Sequence, residues 1–219
     1  MRRKRIKKIE KIPMEKPKVE FNISTLYSGH FAVTYRGVKT IKCPFDYVMY
    51  QMLVFNLKPD LIIEIGTNVG GTALYLADML NIIGKGEVHT IDVAENHPDK
   101  FLSSNPRIKL FTEGYQNYDL ELTKGLETIL VIEDGAHTYE DVSNSIKKFS
   151  SVVTKDSYMI VEDGIVTELG IGESLGGGPL KAIDEFLLGN SDFVIDKKWC
   201  DMFGTNATFN VNGFLKKIR

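Results

Sequence analysis

Cysteine is scarce in this 219-residue chain: Cys43 and Cys200 lie far apart, each among apolar residues. That excludes a disulfide framework and predicts reduced thiols in a cytoplasmic protein. Long apolar runs are missing too. No stretch approaches the ~18 residues of a membrane span. No apolar h-region follows the basic start MRRKRIKK, because Glu10, Lys11, Glu15 and Lys16 interrupt it, so it does not read as a signal peptide. Zinc-type His and Cys spacing is absent, as are the G-x-G-x-x-G of a dinucleotide site and the Lys of a phosphate-binding P-loop. Residues 1–18 hold nine Lys/Arg and two Glu with no aromatic interleaved. This predicts a solvated, flexible arm and weighs against nucleic acid, leaving an acidic partner or an anionic surface as functional alternatives.

What is present is ordinary globular composition, 43% apolar and 26% charged, at a length that suits one α/β domain with an added segment. The chain is organised around residues 61–74, LIIEIGTNVGGTAL. Leu61, Ile62 and Ile63 lead into Glu64 and Ile65, as a strand buried on both faces would. A turn of small residues follows (Gly66, Thr67, Asn68, Gly70, Gly71), and from Thr72 the spacing becomes helical. Strand, glycine turn and helix start make a cradle in which backbone can approach a ligand and free N–H groups can meet an anion. The turn resembles motif I of class I S-adenosylmethionine-dependent methyltransferases, E/D-x-G-x-x-x-G. That resemblance implies a cofactor cradle at Glu64, Gly66, Thr67, Gly70, Gly71 and Thr72, and it makes Asp92, closing the next strand, the ligand of the ribose hydroxyls.

Around this stretch strands and helices alternate, which predicts a parallel sheet covered on both faces. Strands are expected at 61–65, 87–91, 107–112, 128–133, 157–162, 192–198 and 208–217. Helices are expected near 72–82, 97–103, 119–125, 139–150 and 179–188, after one opened by Pro44 whose apolar stripe contains Phe45, Val48, Met49, Met52 and Leu53. Met49, Met52, Met79 and Met159 read as core. The expected fold is α/β, a Rossmann-like class I methyltransferase sheet of seven strands with the last antiparallel. Its expected divisions are a basic arm (1–18), an N-terminal segment packing on the domain or on a neighbouring subunit (19–44) and the catalytic domain (45–219).

Two strands end alike, in VIEDG and IVEDG, and so deliver Asp134, Glu162 and Asp163 to one edge of the sheet. Such carboxylates repel unless a cation intervenes. Residues 131–140 and 160–180 contain no Lys or Arg before Pro179, so a hard divalent ion, Mg²⁺ or Mn²⁺, is the expected cation. His137, with an ordinary pKa of ~6.5, is placed to accept a proton beside it. Strand alternation predicts that Glu133 points away. The glycine-rich residues 164–179 suggest a substrate loop or lid.

These motifs, Glu64-x-Gly66-x-x-x-Gly70-Gly71-Thr72, Asp134-x-x-His137 and Glu162-Asp163, resemble the cephalosporin hydroxylase/rhamnosyl O-methyltransferase family and the macrolide sugar O-methyltransferases. The resemblance runs from about Lys42 to the end. It implies S-adenosylmethionine as cofactor, magnesium held by Asp134, Glu162 and Asp163, and His137 as base beside Asp134. It also implies a sugar or natural-product hydroxyl as acceptor and a homo-oligomer. By analogy with the more distant catechol O-methyltransferase, Gly114, Tyr115 and Gln116 would flank the adenine and Thr72 would meet the methionine carboxylate. Two other readings stand beside it: a cofactor-binding partner of another enzyme, and a nucleic-acid methyltransferase. Asp134-Gly135-Ala136-His137 at the position of an N/D-P-P-Y motif weighs against the latter.

Overall fold

The computed structural model describes residues 20–93, 102 and 104–219. The basic arm and, apart from Leu102, the helix expected over 97–103 lie outside the described residues. Helix α1 (Ile23–His30) begins at Asn22, whose side chain accepts from the Thr25 amide. A hairpin of β1 (Thr34–Tyr35) and β2 (Val38–Lys39) follows. These elements are too short for periodicity to announce them.

Helix α2 (Pro44–Leu57) starts on Pro44 and stops at Lys58 in a left-handed conformation. Its phase differs from the expected one. Asp46, Met49, Tyr50, Leu53 and Val54 face inward, while Val48 and Met52 are exposed, so Met52 is not core. The helix is apolar on several sides, and the buried polar groups of Asp46 and Tyr50 decide its rotation. Asp46 accepts from the Phe209 amide (3.0 Å) and from the Thr208 hydroxyl.

The main sheet comprises β3 (Leu61–Ile65), β4 (Glu87–Ile91), β5 (Ile108–Phe111), β6 (Ile129–Glu133), β7 (Tyr158–Val161), β8 (Phe193–Ile195) and β9 (Phe214–Lys217), in the order β5-β4-β3-β6-β7-β9-β8. All pairings are parallel except those of β9, which is antiparallel to β7 and β8. The seven-stranded expectation holds, with two boundary corrections. Thr208–Asn210 form a buried loop rather than strand, because they cap Asp46 and Tyr50. Lys197–Cys200 form a helical turn, α6, nucleated by Asp196, which accepts from the Lys198 amide. The helix expected over 119–125 shrinks to a 3-10 turn at Leu120–Thr123.

Successive strand residues feed opposite faces. Ile62, Leu130, Ile132 and Ile160 join α2 and α3 (Gly71–Ile83), whereas Leu61, Ile63, Val131 and Met159 join α4 (Tyr139–Phe149) and α5 (Gly178–Gly189). A third apolar cluster ties the N-terminal segment to the loop after β7: Cys43, Ile165, Phe209 and Val211, with Leu26 and Tyr27 against them. The C-terminal ends of β3, β4, β6 and β7 thus open beneath a cover made by α1 and the hairpin. Among the described residues no helix is long and apolar enough to cross a membrane.

Candidate active site

A cavity of about 760 Å³ lies over those strand ends, at the point where the strand order reverses and open α/β sheets bind ligands. Gly66, at φ +100°, turns the chain there, and a Cβ on it would stand 2.0 Å from the Asp134 carbonyl oxygen. Gly71 allows another close approach: its Cβ would meet the Lys39 carbonyl at 2.0 Å. The glycines therefore let chain approach chain as well as chain approach ligand.

Of the residues assigned to the cofactor, Gly66, Thr67, Gly71, Thr72, Asp92, Tyr115 and Gln116 line the cavity. Asp92 accepts from the Asn68 amide (2.9 Å) and the Val93 amide (2.8 Å), which fixes its carboxylate in the wall. Glu64, Gly70 and Gly114 do not line it. Gly70 and Gly114 shape the turns on either side, with Leu102 against the first and Val93 against the second. Glu64 is buried beneath the cradle and accepts from the Thr90 hydroxyl at 2.5 Å, while Thr90 and Thr67 share a 2.7 Å bond. Burial, opposed by the Thr90 bond, pushes the Glu64 carboxyl up to about 8. It braces the turn from below.

The acidic edge divides in two. Asp134, His137 and Asp163 line the cavity; Glu162 does not. His137 Nε2 stands 3.2 Å from Asp163 Oδ2 and 4.0 Å from Asp134 Oδ1, and one ligand atom from each of the three residues falls within 4.8 Å of the others. His137 and Asp163 both adopt left-handed backbone (φ +58° and +56°), a region in which His and Asp are enriched among non-glycine residues. Burial would lower the His137 pKa, but Asp163, Asp134, Glu133 and Glu162 outweigh it and raise the pKa above the ordinary histidine range.

Behind this group lies a basic residue that the sequence argument missed. Lys42 Nζ donates to Asp134 Oδ2 (2.5 Å) and to both oxygens of Glu162 (2.6 and 2.5 Å). The expectation that no Lys supplies a cation is corrected: it comes from the N-terminal segment, 92 residues before Asp134 in sequence. Tyr50 donates to Glu162 Oε1 (2.6 Å) and accepts from Asn210 Nδ2 (3.1 Å). Burial and then Asp134 push Glu162 up to about 7, against the pull of Lys42. The only sequence signal was a lysine flanked by Ile41 and Cys43, just ahead of the helix-opening Pro44.

Glu133 is the second correction. It lines the cavity rather than pointing away, because the chain leaves the strand immediately after it. It accepts weakly from the Gly135 amide (3.3 Å), and its Oε2 is buried with no partner. Burial pushes it up to about 7, with His137 opposing. The N-terminal segment contributes Tyr27, His30 and Phe31 to the lining, and the glycine-rich loop contributes Val166, Ile171 and Leu175.

Sheet order, glycine cradle and acidic strand tips define a class I, S-adenosylmethionine-dependent O-methyltransferase. The chain belongs to the Rhamnosyl O-methyltransferase/CmcI family, whose model matches residues 27–218. It is 29% identical over 205 residues to a rhamnosyl O-methyltransferase of Mycobacterium leprae, covering 86% of each chain. A Mycobacterium bovis rhamnosyl O-methyltransferase is 29% identical over 195 residues, covering 83% of this chain and 77% of the relative. Among solved structures, a CmcI described with Mg-SAM superposes with a TM-score of 0.65 at 20% identity, over 95% of this chain and 82% of that one. The O-methyltransferase TomG of Streptomyces achromogenes, in complex with SAM, superposes with a TM-score of 0.57 at 16% identity, over 90% and 89%.

Proposed function

We propose that this protein moves the methyl group of S-adenosylmethionine to a hydroxyl of a sugar or natural product, with a divalent ion, Mg²⁺ or Mn²⁺, at the acidic edge. The observation that carries the reading is the convergence of Asp134, His137 and Asp163 on one wall of the cofactor-sized cavity. The two carboxylates, Asp134 and Asp163, are oxygen donors that suit a hard cation, with His137 beside them. The cavity also suits the cofactor. Glu133, Asp134 and Asp163 give it an acidic wall for a cationic sulfur and amine, and the orphaned Glu133 Oε2 is a free acceptor for such a group.

Asp92 would take the ribose hydroxyls, Tyr115 and Gln116 the adenine, and Thr72, at the start of α3, the methionine carboxylate. Asp134 and Asp163 would hold the ion, whose charge makes a nearby hydroxyl easier to deprotonate when bound. The sulfonium supplies a methyl group on a good leaving group. Positioning and proton removal then fall to the chain. His137 accepts the acceptor's hydroxyl proton as the oxygen bonds to the methyl carbon and the carbon–sulfur bond breaks, releasing the sulfur as a neutral thioether. The names of the mycobacterial relatives support a rhamnosyl-type acceptor.

The test is transfer of labelled methyl to a panel of deoxysugar glycosides and hydroxylated natural products, with and without EDTA. The expected result is transfer to at least one glycoside, abolished by EDTA and restored by Mg²⁺. Transfer indifferent to chelation would remove the ion, and tight cofactor binding without transfer to any acceptor would favour a partner protein assisting another enzyme.

A further inference from the structure

Resting on the methyl-transfer reading above, we propose that Lys42 is a positioning residue, a built-in cation that occupies the inner half of the acidic edge. It ties Glu162 and one oxygen of Asp134 together there, leaving Asp134 Oδ1 and Asp163 to hold a divalent ion on the cavity side. The partition is visible atom by atom. Asp134 straddles it, Oδ2 toward Lys42 at 2.5 Å and Oδ1 toward His137 at 4.0 Å. The side chains of Lys42 and Glu162 are 2% and 5% exposed, whereas those of Asp134, His137 and Asp163 are 21%, 27% and 23% exposed. Glu162, on the inner side, has each carboxylate oxygen satisfied, Oε1 by Lys42 and Tyr50 and Oε2 by Lys42.

A buried lysine stays only where carboxylates compensate its desolvation, and here two do so at contact distance. Its fixed positive charge has two consequences for a second cation. It keeps the acids assembled when no ion is present. It also repels the incoming ion and holds one Asp134 oxygen away from it, so affinity is lower than three bare carboxylates would give. Glu162 then acts on the ion through Lys42 and Asp134 rather than as a ligand.

Direct Mn²⁺ titration, read by the loss of the free-ion electron paramagnetic resonance signal, tests this without any turnover. K42M removes the inner charge and is expected to tighten Mn²⁺ binding about tenfold. K42M/E162Q removes both members of the pair, leaves the net charge unchanged, and is expected to bind within about threefold of the unsubstituted protein. D163N, which removes an ion-facing oxygen, is expected to weaken binding by about thirtyfold or more. The double variant also guards against misfolding, since a neutral pair of similar volume spares the uncompensated buried charge that K42M leaves.

K42M folded but with Mn²⁺ affinity unchanged or reduced overturns the assignment of Lys42. So does K42M/E162Q weakened as far as D163N, which would make Glu162 a ligand itself. If neither charge-free variant folds while K42R does, the lysine is a stability element and the proposal falls. Mn²⁺ binding absent from the unsubstituted protein and from every variant would sink the metal part of the methyl-transfer reading and this proposal with it.

Discussion

Two halves of one acidic edge, built from the same pair of strand tips, are handled in opposite ways. On the inner side Lys42 and Tyr50 satisfy both oxygens of the buried Glu162 at 2.5–2.6 Å, and Asn210 Nδ2 donates to Tyr50 at 3.1 Å. On the outer side Asp134, His137 and Asp163 stand partly open to the cavity, His137 and Asp163 on left-handed backbone, with His137 Nδ1 buried and unpartnered. A satisfied buried network rigidifies and is costly to break, whereas groups left short of partners are those a ligand can recruit. The first half should therefore answer to stability measurements and the second to turnover.

The sharpest way to break the comparison is His137→Ala. Loss of the base is expected to lower kcat by about 10²–10⁴-fold while leaving S-adenosylmethionine affinity and the melting temperature close to unsubstituted values. A large fall in melting temperature instead would place His137 with the structural half. Next is the titration of His137 in the metal-free protein. Its carboxylate neighbours raise the His137 pKa, so without added metal the imidazole, followed by NMR, should titrate above the ordinary ~6.5. Asp163 is the largest of the raising neighbours, so Asp163→Asn should move that midpoint to lower pH. A midpoint unmoved or shifted upward would dissociate His137 from Asp163.

On the inner half, Tyr50→Phe removes the donor to Glu162 and strands Asn210 Nδ2. Unfolding free energy should drop by about 1–3 kcal/mol in denaturant titration, with KM for the acceptor little changed. The last effect is expected beneath the cradle and reads out as a slope with pH. Burial pushes Glu64 up to about 8 in the folded chain, so the folded state keeps a proton that the unfolded chain loses above ~4.3. That contribution declines as pH rises through this interval, by at most about 1.4 kcal/mol per pH unit. Glu64→Gln should thus gain on the unsubstituted protein between pH 5 and 8 in thermal melts, and the reverse slope would show that Glu64 is ionised in the fold.

Much of the architecture could be read from local pattern. The run Leu61–Ile65 is too apolar for a half-exposed strand, and the acidic ends of β6 and β7 repeat the same letters, so neighbouring strands with a shared site followed. The pattern failed where one signal served two outcomes. Helix α2 is apolar on more than one side, so its stripe suggested Val48 and Met52 as inward, while the polar anchors Asp46 and Tyr50 turned those residues out. Glu133 was assigned by strand alternation, which no longer governs a side chain at the point where the strand ends.

From the sequence alone came the doubly wound sheet, the glycine cradle, the acid at the end of the second motif strand and the meeting of Asp134 with Asp163. All follow from hydrophobic period, turn chemistry and strand adjacency, which are local or nearly so. Only the folded chain decided that the cation on the inner side is Lys42, and that Glu162 is spoken for. An ion pair between residues 120 positions apart has no period and no spacing rule. It exists because the N-terminal segment folds back over the strand tips and buries its lysine where carboxylates can repay the lost hydration.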